Sequence, residues 1–477
     1  MTISRRAVLA TAAATLLPPA ALAATSVSIR IDPRRILRAI PADYMGLGFE
    51  ASSVATPGLL SADNHTYVAL IRNLGSQGVI RVGGNVSDFA RYDANGTARN
   101  LPKDTVLTKD SIRQLRTFLD ATGWKLIWGL NLGTGKLDNM VEEARAVADA
   151  MGEKLIAFQV GNEPDLFKQA GHRQSTYNYA AWHAEFRRYK AAVRAVLPRA
   201  PFAGPDIAMA SLDWMQSFAK DEAGDLALLT AHHYITGQAK PDATIDTLLR
   251  EEKNYQPVLA KFQAISETAR VPWRMSETSS FYGGGKAGVS DTFAAALWAL
   301  DYLFVLSSYG CSGVNMETGI NHLGVISKYT PISDDLAGHQ GAAPEYYGLL
   351  AFAQAARGNP LGLNCDNGGV NLTAYATQEN ATVRLVVINK DMSRDASVAV
   401  TSLGGGEPAQ VMRLSAPSLN AITGITLGGA SVDDSGKWRG GKSEPVKLSR
   451  GKGLLDVPAG SAALITFSAP AAPRWSP

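Results

Sequence analysis

The feature that most constrains this chain is an alternation that runs from about residue 43 to residue 357. Short apolar runs rich in Val, Ile, Leu and aromatic residues fall at 44–51, 79–83, 125–132, 155–162, 201–206, 226–234, 273–278 and 313–318. Longer helix-like stretches separate them, among them 111–122, 139–151, 177–197, 245–266 and 291–308, and 344–356 supplies a last one. Continuous apolar strands alternating with helices predict a parallel sheet covered on both faces. Eight such units close into a (β/α)8 barrel.

Beyond residue 366 the helical signal stops. Strand-like runs at 370–377, 382–389, 397–402, 410–414 and 462–467 are punctuated by glycine pairs and triplets, which predicts an all-β sandwich. The expected organisation is therefore α/β: a TIM barrel over 43–357 and a C-terminal β-sandwich over 358–477. An early alternating strand at 26–31 has no partner in the barrel, so segment 24–42 is expected to join the β-domain. A length of 477 residues suits a large barrel with a smaller companion, and 46% apolar against 19% charged residues allows a sizeable core.

Ser4-Arg5-Arg6 opens an apolar run that ends in Ala21-Leu22-Ala23, the pattern of a twin-arginine-like export signal over residues 1–23. The run is short for a membrane span, so an exported protein without an anchor is expected. Two of the formal +3 charges are Arg5 and Arg6, which leaves the remainder nearly neutral. With no Lys/Arg run, nucleic acid is not an expected partner. Cys311 and Cys365 fall in different expected domains, where pairing and two free thiols both remain open. No residue spacing suggests a metal site, and no cofactor is expected.

Chemistry in such barrels sits where strands end. The fourth apolar run ends in Asn162-Glu163-Pro164 and the seventh in Glu277-Thr278. Strands four and seven face each other across a barrel mouth, so the two carboxyls can meet over one bound group. Glycosidic hydrolysis needs such a pair, one protonated to assist the leaving oxygen and one ionised to attack or to activate water. Either glutamate alone reads as an ordinary strand-end charge. Jointly, at those strand positions, they point to catalysis.

At these residues the chain resembles glycoside hydrolase family 79, the heparanase and β-glucuronidase family. Gly161-Asn162-Glu163-Pro164 looks like its acid/base motif. Ser276-Glu277-Thr278-Ser279-Ser280 with Tyr282-Gly283-Gly284-Gly285 looks like its nucleophile motif. Arg81-Val82-Gly83-Gly84-Asn85, Gly204-Pro205-Asp206 and His232-His233-Tyr234 resemble further strand ends. The resemblance implies a two-step retaining mechanism with Glu163 as acid/base and Glu277 as nucleophile. It also implies that the glycine N–H groups at Gly283, Gly284 and Gly285 cradle a glucuronate carboxyl, and that Glu50 contacts a sugar hydroxyl.

Asn162 is placed to donate to a sugar 2-hydroxyl or to cap its own loop. Asn85 sits at the second strand's end. Tyr234 and Tyr282 are candidates to orient the nucleophile or reach the sugar, or else rim aromatics. Of His232 and His233, one should point inward and the other away. Animal heparanases carry a tyrosine before a His-Leu pair, where this chain has Asn321 before His322-Leu323, so Tyr329 is the candidate for that role. The expected function is cleavage of β-glucuronide linkages in glucuronic-acid-containing oligo- or polysaccharides. Internal cleavage of a heparan sulfate-type polymer, a neutral sugar substrate and a sugar-binding barrel without activity are the rival readings. Oligomeric state is not legible.

Overall fold

The computed structural model describes residues 24–208, 211–319, 326–335, 338–401, 409–446 and 452–468. The expected export signal over residues 1–23 and Asn321-His322-Leu323 lie outside the described residues.

Eight parallel strands form the barrel: β1 Met45–Glu50, β2 Val79–Gly83, β3 Lys125–Leu130, β4 Leu155–Val160, β5 Ala203–Ala208, β6 Leu228–Gly237, β7 Trp273–Tyr282 and β8 Val314–Glu317. Their order around the sheet is β4-β3-β2-β1-β8-β7-β6-β5. A bridge between Phe158 and Phe202 closes the ring between β4 and β5. Every residue of β1 and β2 is buried, because one face meets the barrel interior and the other the helices.

Two helices not singled out above, His65–Leu74 after β1 and Leu212–Glu222 after β5, fit the same alternation. The expected helix over 245–266 is two, Ile245–Leu249 and Gln256–Ala269. Pro257 is the reason: it lacks the N–H an interior turn requires, and so it begins a new helix in its first turn.

Register shifts matter more for function. Along β6, Thr230 pairs with Pro205 and Ala231 with Ile207, so Asp206 is an extra residue in β5. Ala231 pairs with Met275 and His232 with Glu277, so Ser276 is an extra residue in β7. Both are bulges that re-aim side chains, and Asp206 takes a left-handed φ of 59°.

At the barrel's lower end the buried Arg274 donates to Asn315 Oδ1 at 2.7 Å and reaches the carbonyls of Asp43 and Tyr44. Its guanidinium fills the space that a side chain on residue 313 would need: a Cβ on Gly313 would lie 1.7 Å from Nη1.

The C-terminal domain is one continuous sheet among the described residues. Strands Asn359–Asp366 and Lys452–Val457 belong to it, although their sequences were not singled out. The sheet rolls on itself, so that Val400 and Leu455 from one end meet Val411 and Ile465 from the other around a shared apolar core. The strand Thr25–Ile36 lies within it, antiparallel to Asn359–Asp366 and parallel to Ala396–Thr401.

The domain grips the barrel. Its loop carbonyls of Ala421 and Leu419 accept the N–H groups of Phe293 and Ala294, the first turn of helix Phe293–Ser308. Thr292 at that N-cap makes no side-chain cap, so the neighbouring domain supplies the missing acceptors. Asp301 on the same helix accepts from Lys390 Nζ (2.5 Å), Thr373 (2.6 Å) and Tyr375 (2.7 Å). Cys311 is buried in the barrel and Cys365 half-buried in the β-domain, and both are free thiols.

Candidate active site

Glu163 follows β4 in a left-handed conformation (φ 49°, ψ 54°), unusual for a residue with a Cβ. The surroundings hold it there. Its N–H donates to the Asp206 carbonyl at 2.9 Å, and Pro164 starts a 3-10 turn immediately after it. Glu277 lies on β7 with its carboxylate almost wholly buried. One oxygen from each glutamate and one nitrogen of His232 all lie within 4.8 Å of one another. The two carboxyls therefore meet across the mouth, at a spacing short of the 6.5–9.5 Å that would admit a water between them.

Behind the glutamates lies a buried charge network. Arg81 on β2 is fully buried. It donates to Glu277 Oε2 (2.7 Å), Asp206 Oδ2 (2.6 Å), Asn162 Oδ1 (2.8 Å) and Gln159 Oε1 (3.1 Å). Asp206 Oδ1 also takes the Ser276 hydroxyl at 2.6 Å and the Gln159 amide. His232 spans Asp206 Oδ1 (3.0 Å) and Glu163 Oε1 (3.1 Å). Tyr234 donates to Glu277 Oε1 at 2.8 Å.

Electrostatics follow from these contacts. Burial alone would push the Glu277 carboxyl up. The His232 and Arg81 cations and the Tyr234 hydrogen bond outweigh it and hold the group below its usual value, ionised. Burial likewise opposes Asp206, and Arg81 with His232 drives it far below the carboxylate range. His232 is raised well above an ordinary histidine despite its burial, because Asp206 and Glu277 attract its proton. Burial and the Glu277 charge raise the Tyr234 phenol, so it remains a donor.

The other expected site residues divide. Asn162 is in the network, and its amide also reaches Asn85 at 3.3 Å. Asn85 is exposed on the short helix Gly84–Ser87. Asp88 ties this corner together, accepting the N–H groups of Asn162, Leu132 and Gly133.

Glu50 is not a solvated charge. It is buried, and its carboxylate accepts the Val86 N–H at 2.8 Å, a helix-terminus contact. His232 points in, while His233 points out, stacked on Tyr255 at 3.8 Å and bonded to Tyr302 at 3.0 Å. Tyr329 is buried, its ring 5.9 Å from that of Tyr234. Tyr282 stands apart: 52% exposed, its ring covers Gly237, and it bonds to neither glutamate among the described residues.

Gly283, Gly284 and Gly285 run at φ 86°, 98° and 78°. The Gly285 N–H is used by the Phe281 carbonyl, and Gly284's carbonyl takes the Lys328 N–H. Those of Gly283 and Gly284 donate to no described residue, so two of the three expected cradle groups remain available.

Arg81, Asp206, Gln159 and Ser276 were not named as site residues. Arg81 left a legible sign, a charge inside the apolar run Val79-Ile80-Arg81-Val82. Asp206 and Ser276 stood in the strand-end stretches quoted above, but nothing in the sequence marks the bulges at which they sit.

A parallel eight-stranded barrel with facing glutamates after β4 and on β7, one ionised by a buried arginine, is a glycoside hydrolase. Residues 374–464 match the glycosyl hydrolase family 79 C-terminal beta domain. A beta-glucuronidase of Aspergillus niger is 28% identical, covering 86% of this chain and 88% of its own. One from Neurospora crassa is 26% identical over 93% and 97%. Mouse heparanase is 29% identical over 49% of this chain and 45% of its own. The fold is shared with a 4-O-alpha-L-rhamnosyl-beta-D-glucuronidase from Fusarium oxysporum (TM-score 0.76, 19% identity, 92% of this chain and all of that one). These likenesses place the chain beside glycoside hydrolase family 79, whose C-terminal domain its β-domain matches.

Proposed function

We propose that this protein is a retaining β-glucuronidase acting on glucuronic-acid-containing oligo- or polysaccharides. The observation that carries the reading is the approach of Glu163 and Glu277 within 4.8 Å, with Glu277 ionised by Arg81 and Tyr234. In the first step Glu277 attacks the anomeric carbon while Glu163 gives its proton to the leaving oxygen, leaving a glycosyl ester on Glu277. In the second, Glu163 takes a proton from water, which attacks the same carbon and releases Glu277 as carboxylate. Arg81 stays as the partner of the Glu277 carboxylate that is released.

The choice of sugar is supported by the fungal β-glucuronidases that resemble the chain. It is supported also by the Gly283 and Gly284 N–H groups, which donate to no acceptor among the described residues and suit an anion. Glu277→Gln is expected to abolish turnover of an aryl β-glucuronide while the circular dichroism spectrum is kept; normal turnover would refute the assignment. Aryl β-glucoside and β-xyloside test the sugar, and faster cleavage of either would remove glucuronate as the substrate.

A further inference from the structure

His232 is surrounded by charge from several strands. Asp206 on β5 faces Nε2 at 3.0 Å. Glu163 after β4 faces Nδ1 at 3.1 Å, with Glu277 on β7 at 3.8 Å from the same nitrogen. Arg81 on β2 lies 3.5 Å from Nε2, and Tyr234 on the histidine's own strand bonds to Glu277.

The donor and acceptor inventory settles the hydrogen on Nε2 and constrains Nδ1. Asp206 is an acceptor only, already taking Ser276, Gln159 and Arg81, so Nε2 must donate to it. Arg81 Nη2 has both its hydrogens engaged by Asp206 and Asn162, so its approach to Nε2 is not a hydrogen bond. Nδ1 faces the Glu277 carboxylate at 3.8 Å and the Glu163 carboxyl at 3.1 Å, and once Glu163 has given its proton away no donor among the described residues reaches it. A bare lone pair there would, at that moment, face two carboxylates.

We propose that Asp206 is a positioning residue that holds His232 as an imidazolium, so that its Nδ1–H steadies the Glu163 carboxylate each time that group gives up its proton. The proposal rests on the acid/base reading of Glu163. In the first step the proton leaves Glu163 for the glycosidic oxygen, and the new carboxylate finds a donor already in place. In the second, Glu163 takes the proton of the attacking water and the imidazolium is unchanged. His232 exchanges no proton in either step, which makes its charge a fixed part of the site. The upward displacement of its titration agrees with this.

Two measurements test it. ¹⁵N NMR of histidine-labelled protein, with the resonances assigned by their loss in His232→Gln, should show both His232 ring nitrogens protonated at about pH 8, where a free histidine is neutral. A neutral ring there overturns the proposal. This readout needs no substrate, so it stands even if the native protein cleaves no glucuronide, a result that would sink only the functional reading.

In Asp206→Asn the histidine should lose its charge, and Glu163 its donor. The alkaline limb of kcat/KM should then move up by about one pH unit, and His232→Gln should move it the same way. If Asp206 contributed only its own negative charge, its removal would leave that limb in place or move it down, and either result overturns the proposal.

Discussion

Arg81 holds two carboxylates that would otherwise repel each other, Asp206 and Glu277, at 2.6 and 2.7 Å. Removing one partner from a buried ion pair costs about 3–5 kcal/mol, because the other charge stays behind unmatched. Arg81→Met is therefore expected to lower the melting temperature and to cut kcat about 10²-fold or more, since the nucleophile loses a preorganised partner. Its kcat/KM profile should have an acid limb displaced upward, as Glu277 ionises less readily; an unmoved limb would show that Arg81 does not set the nucleophile's charge. In the native protein both carboxyls are held below their unfolded values. Their stabilisation is thus complete above about pH 4 and is lost as pH falls through the folded values, so thermal stability should decline on the acid side. At this scale the sequence exposed Glu163, Glu277, His232, Tyr234 and Asn162. It could not show that Glu50 faces a helix terminus, or that Tyr282 covers Gly237, because both are matters of where a rim loop folds back.

The barrel strands were readable because both their faces are buried, which writes a plain apolar run into each. Their bulges were not. An extra residue at Asp206 or Ser276 changes no composition; it changes only the side to which the following residues point. Strands Asn359–Asp366 and Lys452–Val457 were missed for a related reason: each has one wet face and mixes charged or polar residues with few apolar ones. Two glycine positions give element-scale tests. Gly284 sits at φ 98°, and a Cβ there would make only an ordinary contact with Ser327 Oγ at 3.6 Å, so Gly284→Ala strains the turn without a clash. It is expected to raise KM for an aryl glucuronide about tenfold while leaving the melting temperature within roughly 3 °C; an unchanged KM would remove the turn from substrate binding. Gly313→Ala meets the Arg274 guanidinium instead. It should destabilise the barrel by about 1–3 kcal/mol in chemical denaturation without changing KM.

At the scale of the molecule, the β-domain is part of the scaffold of the catalytic face. It caps the helix that follows the nucleophile strand and neutralises that helix's Asp301 through Lys390. Lys390→Met leaves Asp301 with hydroxyl partners alone and is expected to lower the melting temperature by roughly 3–5 °C with KM unchanged. Calorimetry of that variant should still give one transition; two would mean that the barrel and the β-domain melt independently.

The strand Thr25–Ile36 has a consequence for biosynthesis. It is made before the barrel, yet its partners, Asn359–Asp366 and Ala396–Thr401, emerge only after the whole barrel has been translated. Until then it waits without neighbours, and closing so long a loop is a slow kind of step. Once closed, chain from before the barrel and chain from after it are stitched into a single sheet, and a protease that nicks a barrel loop leaves the two fragments fastened together.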